Sequence, residues 1–509
     1  MNVVFVSPHF PEYYHNFCSR LKDRGVNVLG IGDCPYDMLS GETKNSLTEY
    51  YYVGSLENYD EVYRACAYFS SHYGKIDWIE SENEYWLELE ATLRRDFNVT
   101  TGPQIQDMRW MKYKSAMKEV YKSAGLKVAD YIKLDTLDEA LEFTKKIGYP
   151  VIVKPDNGVG ASHTYKLKND EEFKDFYNHK QDYIDYIVED FVPGDVVTFE
   201  GITDKDKNIL FSTSHVMDTS IMDNVNDASD VYFHSEPVEG KAIYEEGEKV
   251  VKAFDTRSRF FHFEFIKLAE DKQGLGRKGD LVPLEVNMRA PGAFIPDMMN
   301  YAYDVDTYTI WADMMIYNKC FYEIERKYYV GYVGRRLGID YELSNAEAAD
   351  KFKEYIKIEA DIPQVLAQAE GNHIFIFRAK TKAKLTEITK ALIAHKKKKA
   401  APKKTTAKKT TKKTAAAKTT TKTTTKKAAK PVEKKAEPVK EVVKPVEKKA
   451  EPVKEVVKPV EKKAEPVKET VKPVEKKAEP VKEEAKPAAK KPVRARKTTK
   501  KPRHKAKKR

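Results

Sequence analysis

The sequence FHFEFIKLAEDKQGLGRKGDLVPLEVNMRAPG, residues 261–292, contains two short apolar runs separated by a polar loop with several glycines. This pattern predicts a β-hairpin. Each run carries an acid where a buried strand ordinarily has an apolar residue: Glu264 lies between two phenylalanines, and Glu285 lies between Leu284 and Val286. A buried carboxylate without a partner is costly, so both acids are expected to face a cation.

Asn287 and Arg289 continue this pattern toward the end of the second run. Side chains two residues apart lie on the same face of a strand, so Asn287 is expected beside Glu285, and Arg289 follows if the strand continues. Two carboxylates and an amide oxygen on one face form an oxygen-rich site suited to Mg²⁺. The hairpin therefore predicts a metal–nucleotide site whose nucleotide contacts come from other parts of the chain.

The charge of this 509-residue chain is distributed unevenly. Residues 396–509 contain 43 of the 90 Lys and Arg but only 13 of the 79 Asp and Glu, a net charge of +30. The preceding residues carry a net charge of −19 and contain every Phe, Tyr and Trp. An acidic body long enough to bury a substantial core is thus followed by a basic tail that cannot form one.

The four cysteines include no CxxC pair, which favours reduced thiols over a disulfide framework or a zinc site. The first residues, MNVVFVSPHF, lack the basic segment and the long apolar run of a signal peptide. The sequence contains no run of about 18 apolar residues, so no membrane span is predicted. We expect a cytoplasmic protein, with nucleoid association through the tail as a further possibility.

Strands and helices alternate at the beginning of the chain. The predicted elements lie at residues 2–7, 26–32, 57–73, 76–81 and 83–96. This alternation predicts a parallel sheet in a Rossmann-like domain.

Residues 81–84, SENE, come directly after one of these predicted strands. Ligands of parallel sheets bind at the carboxyl ends of the strands, which makes this run a candidate for substrate contact. The alternative is a helix-capping box, with Ser81 as the cap and Glu84 as its partner. The capping interpretation is favoured.

The middle of the chain contains a predicted helix at residues 108–124 and a strand that ends at Lys154. The next residues, 156–162 (DNGVGAS), form a loop rich in backbone donors, which can fold over phosphates with the lysine as a point charge. A simple turn between two strands is the alternative. In VEDFVPGD, Glu189 can accept from an adenine amino group and Asp195 is placed to meet ribose hydroxyls, although both can also be charges that protect a strand edge.

Taken in order, these motifs resemble those of the ATP-grasp superfamily, which includes biotin carboxylase and D-alanine–D-alanine ligase. The resemblance covers residues 1–320 and implies a fold of the α/β and α+β class. The implied parts are a Rossmann-like pre-grasp domain at 1–100 and a two-lobe ATP-grasp domain at 101–320. Beyond them, the sequence pattern predicts a small C-terminal α+β lobe at 321–395 and a disordered basic tail at 396–509.

The resemblance also implies a set of ATP contacts. Lys114 stands eleven residues before Gly125, as the first ATP-binding lysine of the family does, and Lys154 resembles the second. The implied contacts are, in chain order, Lys114, Lys154, Asn157, Gly158, Gly160, Ser162, Glu189, Asp190, Val192 and Asp195.

Within that set, VEDFVPGD resembles the hinge of the family over adenine and ribose. Glu189 is then expected at the adenine amino group, the backbone of Asp190 and Val192 beside the base, and Asp195 at the ribose. No role for His215 follows from the resemblance, and a structural role is expected for it.

Glu264, Glu285 and Asn287 resemble the magnesium ligands of the family, and Arg289 resembles the catalytic arginine of its NxR pattern. Family members typically use ATP to activate a carboxylate as an acyl phosphate, which an amine or another nucleophile attacks. The resemblance thus implies a ligase that uses ATP and Mg²⁺, with Mn²⁺ as a possible substitute, and small-molecule carboxylic acid and amine substrates. The alternative is a nucleic-acid-associated protein whose body binds ATP without ligase chemistry.

In the tail, a fourteen-residue unit, KPVEKKAEPVKEVV, repeats from Lys430, and a proline recurs at every seventh residue. Proline at this spacing forbids a continuous helix and predicts an extended, disordered chain. Such tails resemble lysine-rich tails of the histone H1 type, which implies nonspecific binding of nucleic acid by residues 396–509. The alternatives are a role in solubility, docking on the acidic body, and attraction to anionic membranes.

Overall fold

A computed structural model of the chain describes residues 1–158, 162–218 and 229–396. The tail beyond Lys396, with its predicted disorder and its predicted contacts to nucleic acid, lies outside the described residues. In the part of the chain that is described, no helix is both long enough and apolar enough to cross a membrane.

The described elements alternate between strands and helices over most of the chain. The strands are β1 (Asn2–Val6), β2 (Asn27–Gly32), β3 (Glu49–Tyr52), β4 (Trp78–Glu80), β5 (Tyr131–Lys133), β6 (Val151–Pro155), β7 (Tyr165–Leu167), β8 (Tyr186–Asp190), β9 (Gly194–Thr203), β10 (Ile209–Met217), β11 (Val231–Glu236), β12 (Arg259–Leu268), β13 (Leu281–Asn287), β14 (Tyr329–Arg335), β15 (Ile356–Asp361) and β16 (His373–Ala379). The helices are α1 (His15–Lys22), α2 (Gly41–Ser46), α3 (Tyr59–Tyr73), α4 (Leu87–Asp96), α5 (Met108–Lys112), α6 (Lys114–Ser123), α7 (Leu137–Ile147), α8 (Asp170–His179), α9 (Ala242–Ala253), α10 (Ile295–Tyr303), α11 (Thr307–Tyr317), α12 (Asn345–Phe352), α13 (Gln364–Glu370) and α14 (Lys382–Leu392).

The N-terminal domain is built on a four-stranded parallel sheet with the order β3-β2-β1-β4. Its central strand β1 is buried along its whole length, as expected for a parallel strand covered on both faces. Apolar side chains of α3 and α4 pack on the sheet. The predicted parallel sheet of an N-terminal α/β domain is confirmed.

A second sheet of four antiparallel strands has the order β5-β8-β6-β7 and packs with α7 and α8 around its own core. Lys154 lies near the end of β6, and Glu189 lies near the end of the neighbouring strand β8. Because β6 and β8 are antiparallel and Ile152 is paired with Glu189, the two charged side chains lie near each other. The sheet thus holds Lys154 and Glu189 side by side.

The third sheet has eight antiparallel strands in the order β13-β12-β9-β10-β11-β14-β16-β15. The hairpin predicted from residues 261–292 forms its first edge, as β12 and β13. The strands of the predicted C-terminal lobe continue the same sheet, because β14 pairs with β11. The sheet therefore connects the acids of the hairpin with the C-terminal part of the body.

The helix predicted at residues 108–124 is divided at Tyr113, whose φ of −96° and ψ of 114° are extended. The break is caused by Asp156, which lies far away in the chain and takes the place of the preceding helical turn. Its carbonyl accepts from Lys114 N (2.8 Å), and its Oδ1 accepts from Ser115 N (2.7 Å). The division places Lys114 in the first turn of α6, beside the loop that follows β6.

Candidate functional site

Glu264 and Glu285 are directly paired across β12 and β13. Their side chains are largely buried, with 18% and 17% of the side-chain surface exposed. Lys114 Nζ lies 2.9 Å from Glu285 Oε1, and His262 Nε2 lies 3.3 Å from Glu264 Oε1. The buried acids of the hairpin thus face cationic side chains, as their setting in apolar strands predicts.

The two carboxylates titrate differently. Burial raises the pKa of Glu285, and the charges of Glu264 and Glu84 add to this effect against the opposing charge of Lys114. Burial also acts to raise the pKa of Glu264, but the hydrogen bond and charge of His262 bring that pKa below its ordinary value. A divalent cation held by both carboxylates would favour the ionised form of each of them.

The donor set fits a magnesium ion that arrives with a ligand. Across residues 1–158, 162–218 and 229–396, no three His, Cys, Asp or Glu side chains are grouped so that they could hold a metal by themselves. Glu264, Glu285 and the buried Asn287 all line one cavity and offer oxygen donors of two kinds, two carboxylates and one amide. Mg²⁺ typically uses one or two carboxylates and takes its other ligands from phosphates and water.

Two lysines share one glutamate elsewhere in the lining of this cavity. Lys118 Nζ and Lys154 Nζ each lie 2.9 Å from an oxygen of Glu189. Burial acts to raise the pKa of Glu189, but the two lysines lower it to about 2. Burial, together with the charge of Lys154, lowers the pKa of Lys118 although Glu189 opposes the shift. The group carries one more positive than negative charge, which suits an anionic ligand.

The predicted phosphate loop follows β6. The carbonyl of Gly158 accepts a hydrogen bond from Lys114 Nζ at 3.0 Å, and both Gly158 and Ser162 line the cavity. Asn157 is exposed and forms an isolated bridge with Tyr113. Gly160 lies outside the described residues. The described part of the loop is thus held against the start of α6.

The predicted hinge follows β8. Asp190 and Val192 line the cavity, and Asp190 also forms an ion pair of 2.8 Å with Lys272 in the loop of the hairpin. Among the described residues, the lining includes Val196 but not Asp195, which is exposed. Neighbouring residues of a strand face opposite sides, so the side chain of Asp195 leaves the strand β9 on the side away from Val196.

Arg289 follows β13 and connects the hairpin to the N-terminal domain. Its Nη2 donates to Glu84 Oε2 at 2.8 Å, and its Nη1 donates to the carbonyl of Ala290 at 2.9 Å. The next backbone N–H, that of Ala290, donates to Glu82 Oε2 at 2.7 Å. Two acids of the SENE run therefore fix the position of this arginine.

The capping box predicted for the SENE run does not form. Asn83 caps the short 3-10 helix that follows, because its Oδ1 accepts from Tyr85 N at 3.0 Å. Ser81 Oγ instead accepts from Asn83 N at 3.0 Å. Glu84 is thereby left to contact Arg289 and to line the cavity.

A cavity of about 380 Å³ is lined by most of these groups. It extends from the hinge at Asp190 past the paired acids to Arg289, and its far end is lined by Phe233 of β11 and Glu370 of α13. This volume is within the range of small-molecule sites. One end of the cavity is rich in lysine, the middle carries the paired carboxylates, and the far end is mostly apolar.

The sequence predicted no role for three residues of this cavity that carry a charged or imidazole side chain: Lys118, His262 and Glu370. Lys118 had a usable signal, because it lies four residues after Lys114 and hence on the same face of a helix. His262 lies two residues before Glu264 and thus on the same face of the strand. Glu370 had no local signal, since only the pairing of distant strands brings it to the site.

Comparison with known proteins assigns this architecture. The family model described as carbamoyl-phosphate synthase L chain, ATP binding domain, matches residues 113–209. The chain is 31% identical over 105 residues to an L-arginine-specific L-amino acid ligase of Bacillus subtilis, covering 21% of this chain and 25% of the relative. It is 34% identical over 95 residues to a D-alanine–D-alanine ligase of Clostridium botulinum, covering 18% and 31%. The matched part thus spans about a quarter to a third of these relatives.

Solved structures resemble a larger part of the chain. An L-amino acid ligase from Bacillus licheniformis superposes with a TM-score of 0.57 at 14% identity, over 77% of this chain and 96% of that protein. The biotin carboxylase domain of the Hydrogenobacter thermophilus 2-oxoglutarate carboxylase, in complex with MgADP, ADP and bicarbonate, gives 0.56 at 18%, over 78% and 90%. At such identities the likeness concerns the fold. The ATP-binding model matches residues 113–209 in agreement with the order of the motifs, and this segment belongs to the ATP-grasp superfamily.

Proposed function

We propose that this protein is a ligase that uses ATP and Mg²⁺ to activate a carboxylic acid as an acyl phosphate and to join it to an amine. The observation that carries the proposal is the single cavity shared by the paired acids Glu264 and Glu285, the lysine-rich end and Arg289. Phosphoryl transfer depends on positioning and charge neutralisation, and these groups supply both. Both curated relatives named above are ligases of amino acids, which supports a carboxylate and an amine as substrate classes.

ATP lies, in this proposal, with its base against the hinge at Asp190 and Val192 and with its phosphates toward the loop at Gly158. Lys118 and Lys154 offset the negative charge of the phosphates. Their two positive charges exceed the single negative charge of Glu189, which supports this role. The implied contacts at Asn157, Gly160 and Ser162 belong to the same loop. We do not assign the ribose to Asp195, because its side chain faces away from the cavity.

Glu264, Glu285 and Asn287 would hold Mg²⁺, or Mn²⁺ in its place. When bound, the ion would neutralise charge on the phosphate oxygens. Lys114 pairs with Glu285 and also contacts the carbonyl of Gly158. It is therefore placed to release the carboxylate of Glu285 and to bind a phosphate of ATP instead. Each of these side chains orients the nucleotide by charge, and none of them needs to act as a nucleophile.

Arg289 is the catalytic residue in this proposal. Its guanidinium can hold the acid substrate or the oxyanion that forms when the amine attacks, because it lies on the cavity wall close to the paired acids. Glu82 and Glu84 fix the arginine from the N-terminal domain. An arginine held in advance stabilises developing charge without reorganisation during the reaction.

The test is ADP release from MgATP by the full-length protein against a panel of carboxylic acids, each with and without a panel of amines. Release that requires an acid and rises with an amine supports the ligase. Glu285→Gln is the inactive control, and Glu354→Gln, an exposed acid outside the cavity, is its matched control. ATP binding without release for any pair favours the alternative, a grasp body that binds ATP without ligase chemistry.

We also infer that residues 396–509 bind nucleic acid, which fits a cytoplasmic protein associated with the nucleoid. Their net charge of +30 is the supporting observation. Binding should be independent of sequence. With roughly 6–10 phosphate contacts, raising the salt concentration from 50 to 200 mM would lower the affinity by a factor of about 10³–10⁵. Fluorescence anisotropy with a random DNA duplex tests this, and equal binding by a chain that ends at His395 contradicts it.

A further inference from the structure

The far end of the cavity is lined by side chains of one apolar cluster. Met217 of β10 and Phe233 of β11 are paired in the large sheet and both line this end. Val231, two residues before Phe233 on the same strand, and Ile295 of α10 add to the lining. These side chains belong to β10, β11 and α10, and none of these three elements supplies a contact of the proposed nucleotide site.

Glu370, the last residue of α13, brings a carboxyl group to this apolar end. Its backbone is held tightly against β14. Tyr332 Oη donates to the carbonyl of Glu370 at 2.8 Å, and a Cβ at Gly334 would lie only 1.9 Å from that carbonyl oxygen. Because its backbone is fixed, the side chain of Glu370 starts from a defined position in the wall of the cavity.

The side chain of Glu370 lacks a cation. It accepts a hydrogen bond from the backbone N–H of Ala293, and among the described residues no lysine, arginine or histidine forms an ion pair with it. Burial raises the pKa of this carboxyl to about 7. Glu84, the other acid at this end, is already paired with Arg289 at 2.8 Å. Glu370 is therefore the acid at this end that remains available for a cationic ligand.

We propose that Glu370 binds the amino group of the acceptor substrate and that the acceptor is a primary amine with an apolar body. This inference rests on the proposed ligase function and names the amine side of it. An ammonium group has three donors and would complete the contacts of the carboxylate. The apolar body of the amine would lie on Met217, Val231, Phe233 and Ile295, where a strongly polar substituent would lose its hydration.

The test uses two probes with the same apolar chain, n-pentylammonium chloride and 1-pentanol, which are titrated into the full-length protein at pH 8 and observed by ligand-detected NMR. The wild type is expected to bind the amine at least tenfold more tightly than the alcohol. Glu370→Gln is expected to remove this preference, and Glu354→Gln is expected to retain it. Equal binding of both probes by the wild type, or an unchanged preference in Glu370→Gln, overturns the proposal.

A titration of each protein with MgADP separates this inference from the proposed function. Normal MgADP affinity without any preference for the amine contradicts the role of Glu370 and leaves the nucleotide site intact. A preference for the amine without MgADP binding contradicts the ligase and supports an amine site of another kind. If Glu370→Gln fails to fold, as circular dichroism would show, the comparison of the two probes on the wild type still decides the outcome.

Discussion

Glu264 and Glu285 are direct cross-strand neighbours, each at the wall of the same cavity. Like charges placed opposite each other in a sheet are destabilising. Here the cost is offset by Lys114 on one acid and by His262 on the other. The divalent ion proposed above would supply a physical reason for this costly arrangement.

Replacing Glu285 with Gln should lower turnover of ATP at least a hundredfold, because the metal loses one of its two carboxylates. The fold should persist, since Gln has nearly the same shape and Lys114 keeps its hydrogen bond to Gly158. ADP release and circular dichroism measure the two effects. Retained turnover in this variant would sink the metal assignment, provided that Glu354→Gln behaves like the wild type.

Lys118→Ala should weaken ADP binding at least tenfold, because it removes the surplus positive charge beside Glu189. The matched control is Lys122→Ala, one helical turn further along α6, whose exposed side chain lies over the ring of Tyr131. Isothermal titration calorimetry compares the two variants. Equal affinities for ADP in both would show that Lys118 has only a structural role.

Arg289→Lys should lower kcat at least tenfold while the affinity for MgADP stays within a factor of two. A lysine keeps the charge but loses the planar pair of donors that contacts Glu84 and the carbonyl of Ala290. Arg257→Lys, at an exposed arginine, is the control. If the substitution at Arg289 weakens MgADP binding and spares kcat, then this side chain belongs to the nucleotide site.

The ion pairs of Glu189 predict how stability depends on pH. Its folded-state pKa of about 2 lies below the ordinary value of 4.5, so the ionised carboxylate stabilises the fold above pH 4.5, and this contribution is lost as the pH falls toward 2. The difference in free energy of unfolding between the wild type and Glu189→Gln should thus shrink by about 1 kcal/mol from pH 7 to pH 3.5. Urea unfolding at both pH values measures it, and a constant difference contradicts the pairing.

The sequence was informative where the signal is local. The acids of the hairpin could be recognised because Glu264 and Glu285 interrupt apolar runs, and the parallel sheet could be recognised from the alternation of strands and helices. Non-local contacts could not be foreseen. The division of the helix at Tyr113 depends on Asp156, 43 residues away in the chain, and the place of Glu370 depends on the pairing of β14 with β11.

The SENE run shows a different limit. A capping box and a ligand contact use the same residue types at the same spacing, so residues 81–84 fit both interpretations. Two contacts in the structure distinguish these interpretations. Asn83 caps the following turn, and Arg289 approaches Glu84 from the other domain. The second contact joins residues 205 apart in the chain.

The most direct test of the metal–nucleotide site is the anomalous scattering of Mn²⁺ in crystals of the full-length protein grown with ADP. We expect a manganese peak within bonding distance of carboxylate oxygens of both Glu264 and Glu285. The manganese should also contact the phosphates of an ADP whose base lies at the hinge. ADP bound elsewhere, or a manganese peak away from these two acids, would contradict it.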